Sequence, residues 1–465
     1  MSERADALVL FGVTGDLARK KLFPALHDLA ADDRLPGCVV GVASSDWTTD
    51  DLRTRARDSI GERGDGSDAA VDALVDRLTY VRGDYGDPDT YARLRTALGA
   101  ATRPLVYLAV PPSLFQSVIG GLAGVGLNEQ GRIVVEKPFG RDLPSSRELN
   151  ASLQAAFPEE AVFRIDHFLG KEELLDVLVF RLANAFIEPT WNRHHIASVQ
   201  ITMAEDFGVE GRGRFYEEVG TLRDVVQNHL LEIVAIVAME PPVDAEARSL
   251  RDEKTKVLRA IRTLTHPQVV RGQFDGYRDE DGVAPDSQVE TYVAVRLDID
   301  SWRWAGVPFY IRAGKHLAVS ATEVLVEFKP PPTRFFAAQD APAPHPNHLV
   351  FRIKPGERVA LAVDVKEPGD GLVSRSVELS YSYDEQRDGR REDAYARLLD
   401  DAMDGDQRLF ARADGVEEAW RILSDVLADP GPVHPYQQGS WGPLAADDLI
   451  AADGGWHGPD IEEEV

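Results

Sequence analysis

Cysteine is all but missing from this chain. Cys38 stands alone in 465 residues, which excludes an intrachain disulfide and any metal site built on several thiolates. Its setting, Cys38-Val39-Val40, suggests a buried strand position. Long apolar runs are missing too: no stretch reaches the roughly 20 residues that cross a bilayer, and Met1 to Asp6 carries no basic region ahead of an apolar one. A cytoplasmic protein without membrane contact is expected. Positive charge is short, with 51 Lys and Arg against 78 Asp and Glu, and the net charge of −27 opposes binding to nucleic acid or an anionic surface. An anionic ligand must therefore find local cations. The chain has only ten lysines, and five of them (Lys20, Lys21, Lys137, Lys171, Lys315) fall in the motif-bearing segments below. No internal repeat is visible.

What is present is globular material, 43% hydrophobic and 28% charged, long enough for two domains with a core each. Ala7 to Phe11 is an apolar run too short for a helix. Gly12-Val13-Thr14-Gly15-Asp16-Leu17-Ala18 follows, and then an amphipathic stretch through Leu22, Leu26 and Leu29. Strand, glycine turn and helix make the setting for a dinucleotide fingerprint, in which Gly12, Thr14, Gly15, Asp16 and Leu17 bring backbone N–H groups to a pyrophosphate. A plain tight turn fits the same residues. The alternation continues: strands at 38–43, 79–83, 105–110 and 132–136, helices at 49–60, 88–98 and 113–127. This predicts a Rossmann-type, doubly wound parallel α/β sheet over residues 1–175, with ligands at the strand C-termini. Glu136-Lys137-Pro138-Phe139-Gly140 lies at one such end.

The stretch Arg164-Ile165-Asp166-His167-Phe168-Leu169-Gly170-Lys171-Glu172 packs an acid, an imidazole and a lysine behind an apolar run. Strand alternation would turn Asp166 and His167 to opposite faces. Gly170 permits a turn, and Lys171 heads a helical pattern to about Phe186, where a helix N-terminus favours anions. Residues 176–465 then read as a larger α+β domain. Strand-like runs at 198–204, 292–299, 307–312, 324–328, 349–353, 359–365 and 377–381 lack helices between them and imply a mainly antiparallel sheet. A single long helix is predicted from Val219 to Met239, stopped by Pro241-Pro242. On α-helical geometry Asp224 and His229 sit about 140° apart around its axis and cannot touch. His229 lies toward the apolar face, either as a core histidine bonded to a carbonyl or paired with Asp166 from another element. Residues 330–346 read as a proline-rich loop, 384–392 as a charged linker and 462–465 as an acidic tail.

These segments, together with Gly220 to Leu231, Val307 to Leu317 and Tyr436 to Pro443, resemble the glucose-6-phosphate dehydrogenase family in order and spacing along nearly the whole chain. The resemblance implies an NAD(P)-dependent oxidoreductase that oxidises glucose 6-phosphate at C1 to 6-phosphogluconolactone, as a homodimer or homotetramer. It makes His229 the general base and Asp166 its orienting partner. It gives the 6-phosphate to His167 and Lys171, the sugar hydroxyls to Glu205 and Asp224, closure of the site to Lys315, and a place between coenzyme and sugar to Lys137. The nicotinamide carries the redox chemistry, so no metal is needed.

Three departures from the family pattern stand out. Phe168 replaces a tyrosine after the Asp-His pair, and Ser320 replaces a cation five places after Lys315, with Lys354 as a spare cation. After the strand at 38–43, NADP-using relatives have an arginine for the 2′-phosphate, whereas this chain reads Ser44-Ser45-Asp46. A carboxylate there suits a free ribose hydroxyl, and NAD is expected to serve at least as well as NADP. The alternative is that Asp46 caps the next turn while Lys20 or Lys21 meets the phosphate. A dehydrogenase for another aldose or aldose phosphate, or a catalytically silent dinucleotide sensor, are the competing functions.

Overall fold

The computed structural model describes residues 3–62, 64, 68–333, 346–370, 372–383 and 393–459. The charged linker and the acidic tail expected from the sequence, and most of the proline-rich loop, lie outside the described residues. The chain forms two compact units. One comprises Met1–Lys171, Pro242–Asp252 and Arg391–Glu417, the other Glu172–Pro241, Glu253–Arg390 and Glu418–Val465. Among the described residues no helix is long and apolar enough to cross a membrane.

The first unit holds a six-stranded parallel sheet: β1 (Ala7–Phe11), β2 (Val39–Ala43), β3 (Leu78–Arg82), β4 (Pro104–Leu108), β5 (Arg132–Glu136) and β6 (Val162–Ile165), in the order β3-β2-β1-β4-β5-β6. Every residue of β1, β2 and β4 is buried, as befits strands covered on both faces. The helices α1 (Phe23–Ala31), α2 (Thr49–Gly61), α3 (Asp68–Arg77), α4 (Pro88–Ala97), α5 (Phe115–Gly124) and α6 (Leu143–Gln154) supply the crossovers. Strand order reverses between β1 and β4, and ligands of such sheets bind at that point, outside the strand C-termini. The segment before α1 is not α-helical. Ala18–Leu22 forms a π-helical turn, and Pro24, which has no N–H to give, is the second residue of α1 just after it. Cys38 is half-buried and precedes β2 rather than lying inside it.

The second unit holds nine strands: β7 (Ile196–Ala204), β8 (Val269–Phe274), β9 (Tyr292–Asp298), β10 (Pro308–Gly314), β11 (Ala321–Phe328), β12 (His348–Lys354), β13 (Arg358–Lys366), β14 (Ser374–Ser382) and β15 (Val433–Tyr436). Their order is β14-β13-β12-β11-β7-β10-β9-β8-β15. Neighbours are antiparallel except β7–β10 and β8–β15. Those two pairs join strands far apart in sequence, which leaves chain enough for a crossover that adjacent strands lack.

The long helix expected from Val219 is in fact three pieces. After α7 (Glu172–Ala183), helix α8 (Gly213–Thr221) breaks at Gly220, whose φ is +60°. Leu222–Leu230 is π-helical, and α9 (Leu231–Ala238) completes the run. The carbonyls at its end are taken by buried donors: Arg181 reaches those of Ile236, Val237 and Met239, Trp191 Nε1 that of Val237, and Trp304 Nε1 that of Ala238. A helix end satisfied in this way is fixed in place. The π turn it carries is fixed with it.

Candidate active site

In the first unit the glycine turn sits at the switch point as expected. Gly12 has φ +77°, and a Cβ there would lie 2.1 Å from the Ala109 carbonyl oxygen. Only glycine lets β1 turn so close to β4. The Gly12 N–H reaches the Val42 carbonyl at 2.9 Å and the Tyr85 hydroxyl at 3.1 Å, and Gly15 N–H closes the turn onto Gly12 O. Thr14 and Leu17 are partly covered, while Gly15 and Asp16 face solvent. A close-packed glycine turn with an open rim fits a pyrophosphate, so these residues could hold a dinucleotide.

The segment after β2 is tied to that turn. Ser45 Oγ donates to Thr14 Oγ1 at 3.1 Å, and the Tyr80 hydroxyl donates to the carbonyls of Ala43 and Ser45. Helix α2 is capped by Thr48 with Asp51 in return, so Asp46 is not its cap. Asp46 instead accepts a hydrogen bond at 2.5 Å from Arg82, the last residue of β3. Ser44 lies at the end of β2 with its side chain exposed to solvent. Lys20 pairs with Asp16 on its own turn at 3.6 Å, and Lys21 is exposed.

Asp166 follows the end of β6 and begins a turn. Its Oδ1 accepts from Phe168 N–H at 2.9 Å, and its carbonyl accepts from Leu169 N–H at 3.0 Å. Asp166 and His167 therefore take their directions from a turn rather than from strand alternation. The His167 ring stacks on Tyr395 at 6.2 Å and 10°. The Phe168 ring, without a hydroxyl, carries the Lys171 ammonium 4.1 Å from its centroid. Tyr395 also hydrogen-bonds to Glu136, as does the buried hydroxyl of Tyr107. Loss of water pushes the Glu136 carboxyl up to about 7, against the pull of the Tyr107 hydroxyl and Lys137, and the Tyr107 and Tyr395 hydroxyls are pushed up by the same burial. Lys137 follows Glu136 at the end of β5, in a cis peptide with Pro138. Tyr395 was missed from sequence because nothing near it marks a site; only the fold carries it to the ring of His167.

In the second unit Glu205 follows β7 and Lys315 follows β10. Their side chains pair at 2.5 Å, and the parallel register of the two strands sets that meeting, with Glu205 N–H on Gly314 O. The Lys315 ammonium also lies 4.9 Å from the Phe207 ring and 5.8 Å from that of Tyr216. Tyr216 is buried, its hydroxyl bonded to Thr221 Oγ1 at 2.9 Å, and burial first and the Asp224 carboxylate next raise its pKa well above the usual phenol value. Asp224 and His229 both lie on the π turn. There i→i+5 bonding brings residues five apart to about the same side, which corrects the wide separation expected of an α-helix. His229 is 2% exposed, and Asn228 reaches back to the Asp224 carbonyl at 2.9 Å. The turn starts at a buried anchor: Glu290 accepts from Leu222 N–H at 3.1 Å and pairs with Arg271 at 2.8 Å. Ser320 Oγ donates to Asp206 at 2.5 Å, which accounts for the polar residue at that position. Phe207, Tyr216 and Glu290 were not anticipated. Their only sequence signal is a place beside the glycine-rich stretch Gly208-Val209-Glu210-Gly211-Arg212-Gly213 or before a strand start.

A parallel sheet in this order, with a glycine turn at its switch point, is the architecture of dinucleotide-binding proteins. Residues 9–175 match the glucose-6-phosphate dehydrogenase NAD binding domain, and residues 178–457 match the glucose-6-phosphate dehydrogenase C-terminal domain. The chain belongs to the glucose-6-phosphate dehydrogenase family. It is 46% identical over 455 residues to glucose-6-phosphate 1-dehydrogenase 1 of Mycobacterium tuberculosis H37Rv, covering 98% of this chain and 97% of that one. The crystal structure of glucose-6-phosphate 1-dehydrogenase from Mycobacterium avium aligns with a TM-score of 0.92 at 45% identity, over 99% of this chain and 100% of that one. A glucose-6-phosphate dehydrogenase in complex with its substrate glucose 6-phosphate aligns at 0.91 and 34% identity over the same shares.

Proposed function

We propose that this chain oxidises glucose 6-phosphate at C1 to 6-phosphogluconolactone, the opening step of the oxidative pentose phosphate route, in the cytoplasm. Residues 1–175 serve the coenzyme, and residues 176–465 serve the sugar and oligomerisation. The observation that carries the reading is the Glu205–Lys315 pair beside the Tyr216 ring, with the Asp224 carboxylate acting on the Tyr216 hydroxyl and His229 on the same π turn as Asp224. Acids that accept from hydroxyls, a cation and an imidazole are what a phosphorylated sugar needs.

In this reading His229 takes the C1 hydroxyl proton, and Asp166 orients its ring and stabilises the imidazolium. His167 and Lys171 hold the 6-phosphate, Glu205 and Asp224 accept from sugar hydroxyls, Lys315 closes the site, and Lys137 stands between sugar and coenzyme. The turn from Gly12 through Thr14, Gly15, Asp16 and Leu17, with Ser44 and Asp46, would hold the dinucleotide. When bound, the nicotinamide accepts the hydride that leaves C1. NADP is the coenzyme that family resemblance favours, and Asp46 supports use of NAD at least as good; kcat/KM for each decides it, and a large preference for NADP would remove the NAD reading.

Oligomerisation as a homodimer or homotetramer is supported by β14. This nine-residue strand ends the sheet and leaves Leu379 59% and Tyr381 51% exposed. Val377, Leu379 and Tyr381 alternate onto one face of an otherwise polar strand, and exposed apolar side chains side by side favour contact with a second copy.

Absorbance of reduced nicotinamide, followed with glucose 6-phosphate and with unphosphorylated glucose, tests the reading. The phosphorylated sugar is expected to win by a wide margin, and equal rates would favour an aldose dehydrogenase. His229→Asn should lower kcat about a hundredfold or more with little change in substrate affinity. Unchanged turnover would mean that another group is the base.

A further inference from the structure

The loop after β2 contains no arginine, yet one reaches it from the next strand. β2 and β3 run parallel with Ala43 opposite Arg82, so the last side chain of β3 rises beside the residues that follow β2. Arg82 Nη1 donates to Asp46 Oδ1 at 2.5 Å. The backbone beneath the pair is firmly held: Gly83 N–H bonds to the Ala43 carbonyl at 3.0 Å, the Tyr80 hydroxyl to the carbonyls of Ala43 and Ser45, and Arg93 to the Arg82 carbonyl at 3.1 Å. Ser45 Oγ links the same loop to Thr14 of the glycine turn. The side chains of the pair are open, Arg82 58% and Asp46 86% exposed. A fixed backbone thus carries a movable ion pair, at the strand end where dinucleotide folds receive the adenosine ribose.

We propose that Arg82 is a specificity-determining residue for the coenzyme: it leaves Asp46 to hold the 2′-phosphate of NADP, while Asp46, steadied by Arg82, accepts from the free 2′-hydroxyl of NAD. An ion pair this exposed is weakly held because water screens it. A phosphate presents about two negative charges and three oxygens, and a guanidinium matches that geometry with two parallel N–H groups. A ribose hydroxyl offers Arg82 no such gain, so the pair stays closed and Asp46 acts as the acceptor. One pair can therefore serve both coenzymes, although Asp46 taken alone would repel the phosphate. Lys20 and Lys21 belong to the helical turn after Leu17, and Lys20 already pairs with Asp16 there.

This inference rests on the coenzyme reading above, and its test separates the two. Adenosine 2′,5′-bisphosphate and 5′-AMP are titrated by calorimetry into the full-length protein, and kcat/KM is measured with NADP and NAD. In Arg82→Ala the affinity ratio of bisphosphate to monophosphate should fall at least tenfold, and the NADP-to-NAD ratio of kcat/KM should fall with it. The dependence of bisphosphate affinity on salt should become shallower. Arg82→Lys should restore part of both ratios, which a merely structural role for Arg82 would not produce. Asp46→Asn should move both ratios the other way. If both nucleotides bind the wild type and Arg82→Ala leaves the ratios unchanged, the assignment of Arg82 is wrong. Failure of the wild type to bind either nucleotide, or either coenzyme, would overturn the coenzyme reading and this inference together.

Discussion

Glu136 sits where its charge is costly, among Tyr107, Tyr395 and the end of a buried strand, and its carboxyl is pushed from an ordinary 4.5 up to about 7. The folded chain therefore keeps a proton there that the unfolded chain has released. The stabilisation is fully present below about pH 4.5 and is lost as pH rises through about 7, on the order of 3 kcal/mol between those limits. Asp401, raised to about 7 by burial and by its acidic neighbours Asp406 and Asp400, acts in the same sense. Glu136→Gln stays neutral throughout, so between pH 5 and 8 this variant should lose less stability than the wild type in parallel urea unfolding. Identical slopes would clear Glu136 of that role. A second residue-scale expectation concerns Phe168. The cation–π contact with Lys171 at 4.1 Å is of the kind worth ~0.5–2 kcal/mol. If Lys171 holds the phosphate from that perch, Phe168→Leu should raise KM for glucose 6-phosphate by about 2- to 30-fold and leave kcat nearly unchanged; a fall in kcat alone would argue against it.

The π turn is the element on which the second unit's chemistry is mounted, and its geometry is set outside its own sequence. Gly220 supplies the break at φ +60°, and a Cβ there would fall 2.5 Å from Glu290 Oε1, the atom that caps Leu222. Gly220→Ala should therefore destabilise the protein by about 2–4 kcal/mol, from strained backbone plus overpacking. It should also lower kcat by shifting Asp224 and His229. Thermal melting and steady-state kinetics on the same preparation check both effects, and a variant with normal kcat would show that the turn tolerates a shifted start. Hydrophobic periodicity could not reveal this element. Leu222, Val226, Leu230 and Ile233 satisfy an α pattern well enough, and the wider turn follows from the buried Glu290–Arg271 anchor, which comes from β8 and the approach to β9, more than 40 residues downstream.

At the scale of the whole molecule, β14 pairs only with β13 among the described residues and leaves Leu379 and Tyr381 open. If a second copy covers that face, Leu379→Arg together with Tyr381→Arg should lower the mass seen by sedimentation velocity at micromolar concentration. An unchanged mass would place the contact elsewhere. Much of the molecule was legible in its residues. The Rossmann strands could be read because strands buried on both faces leave short apolar runs between helical patterns. The glycine turn could be read because only Gly12 fits against Ala109, and family membership because motif spacing survives along the chain. What the residues alone determined is local: which runs bury, where the backbone must turn, and which side chains carry charge. Tertiary structure decided the rest, since parallel register brings Glu205 to Lys315, the helix Ala394–Asp404 brings Tyr395 to His167, and strand neighbours bring Arg82 to Asp46. Each of these partners is distant in sequence, and periodicity records the face a residue turns inward, not what waits on the other side.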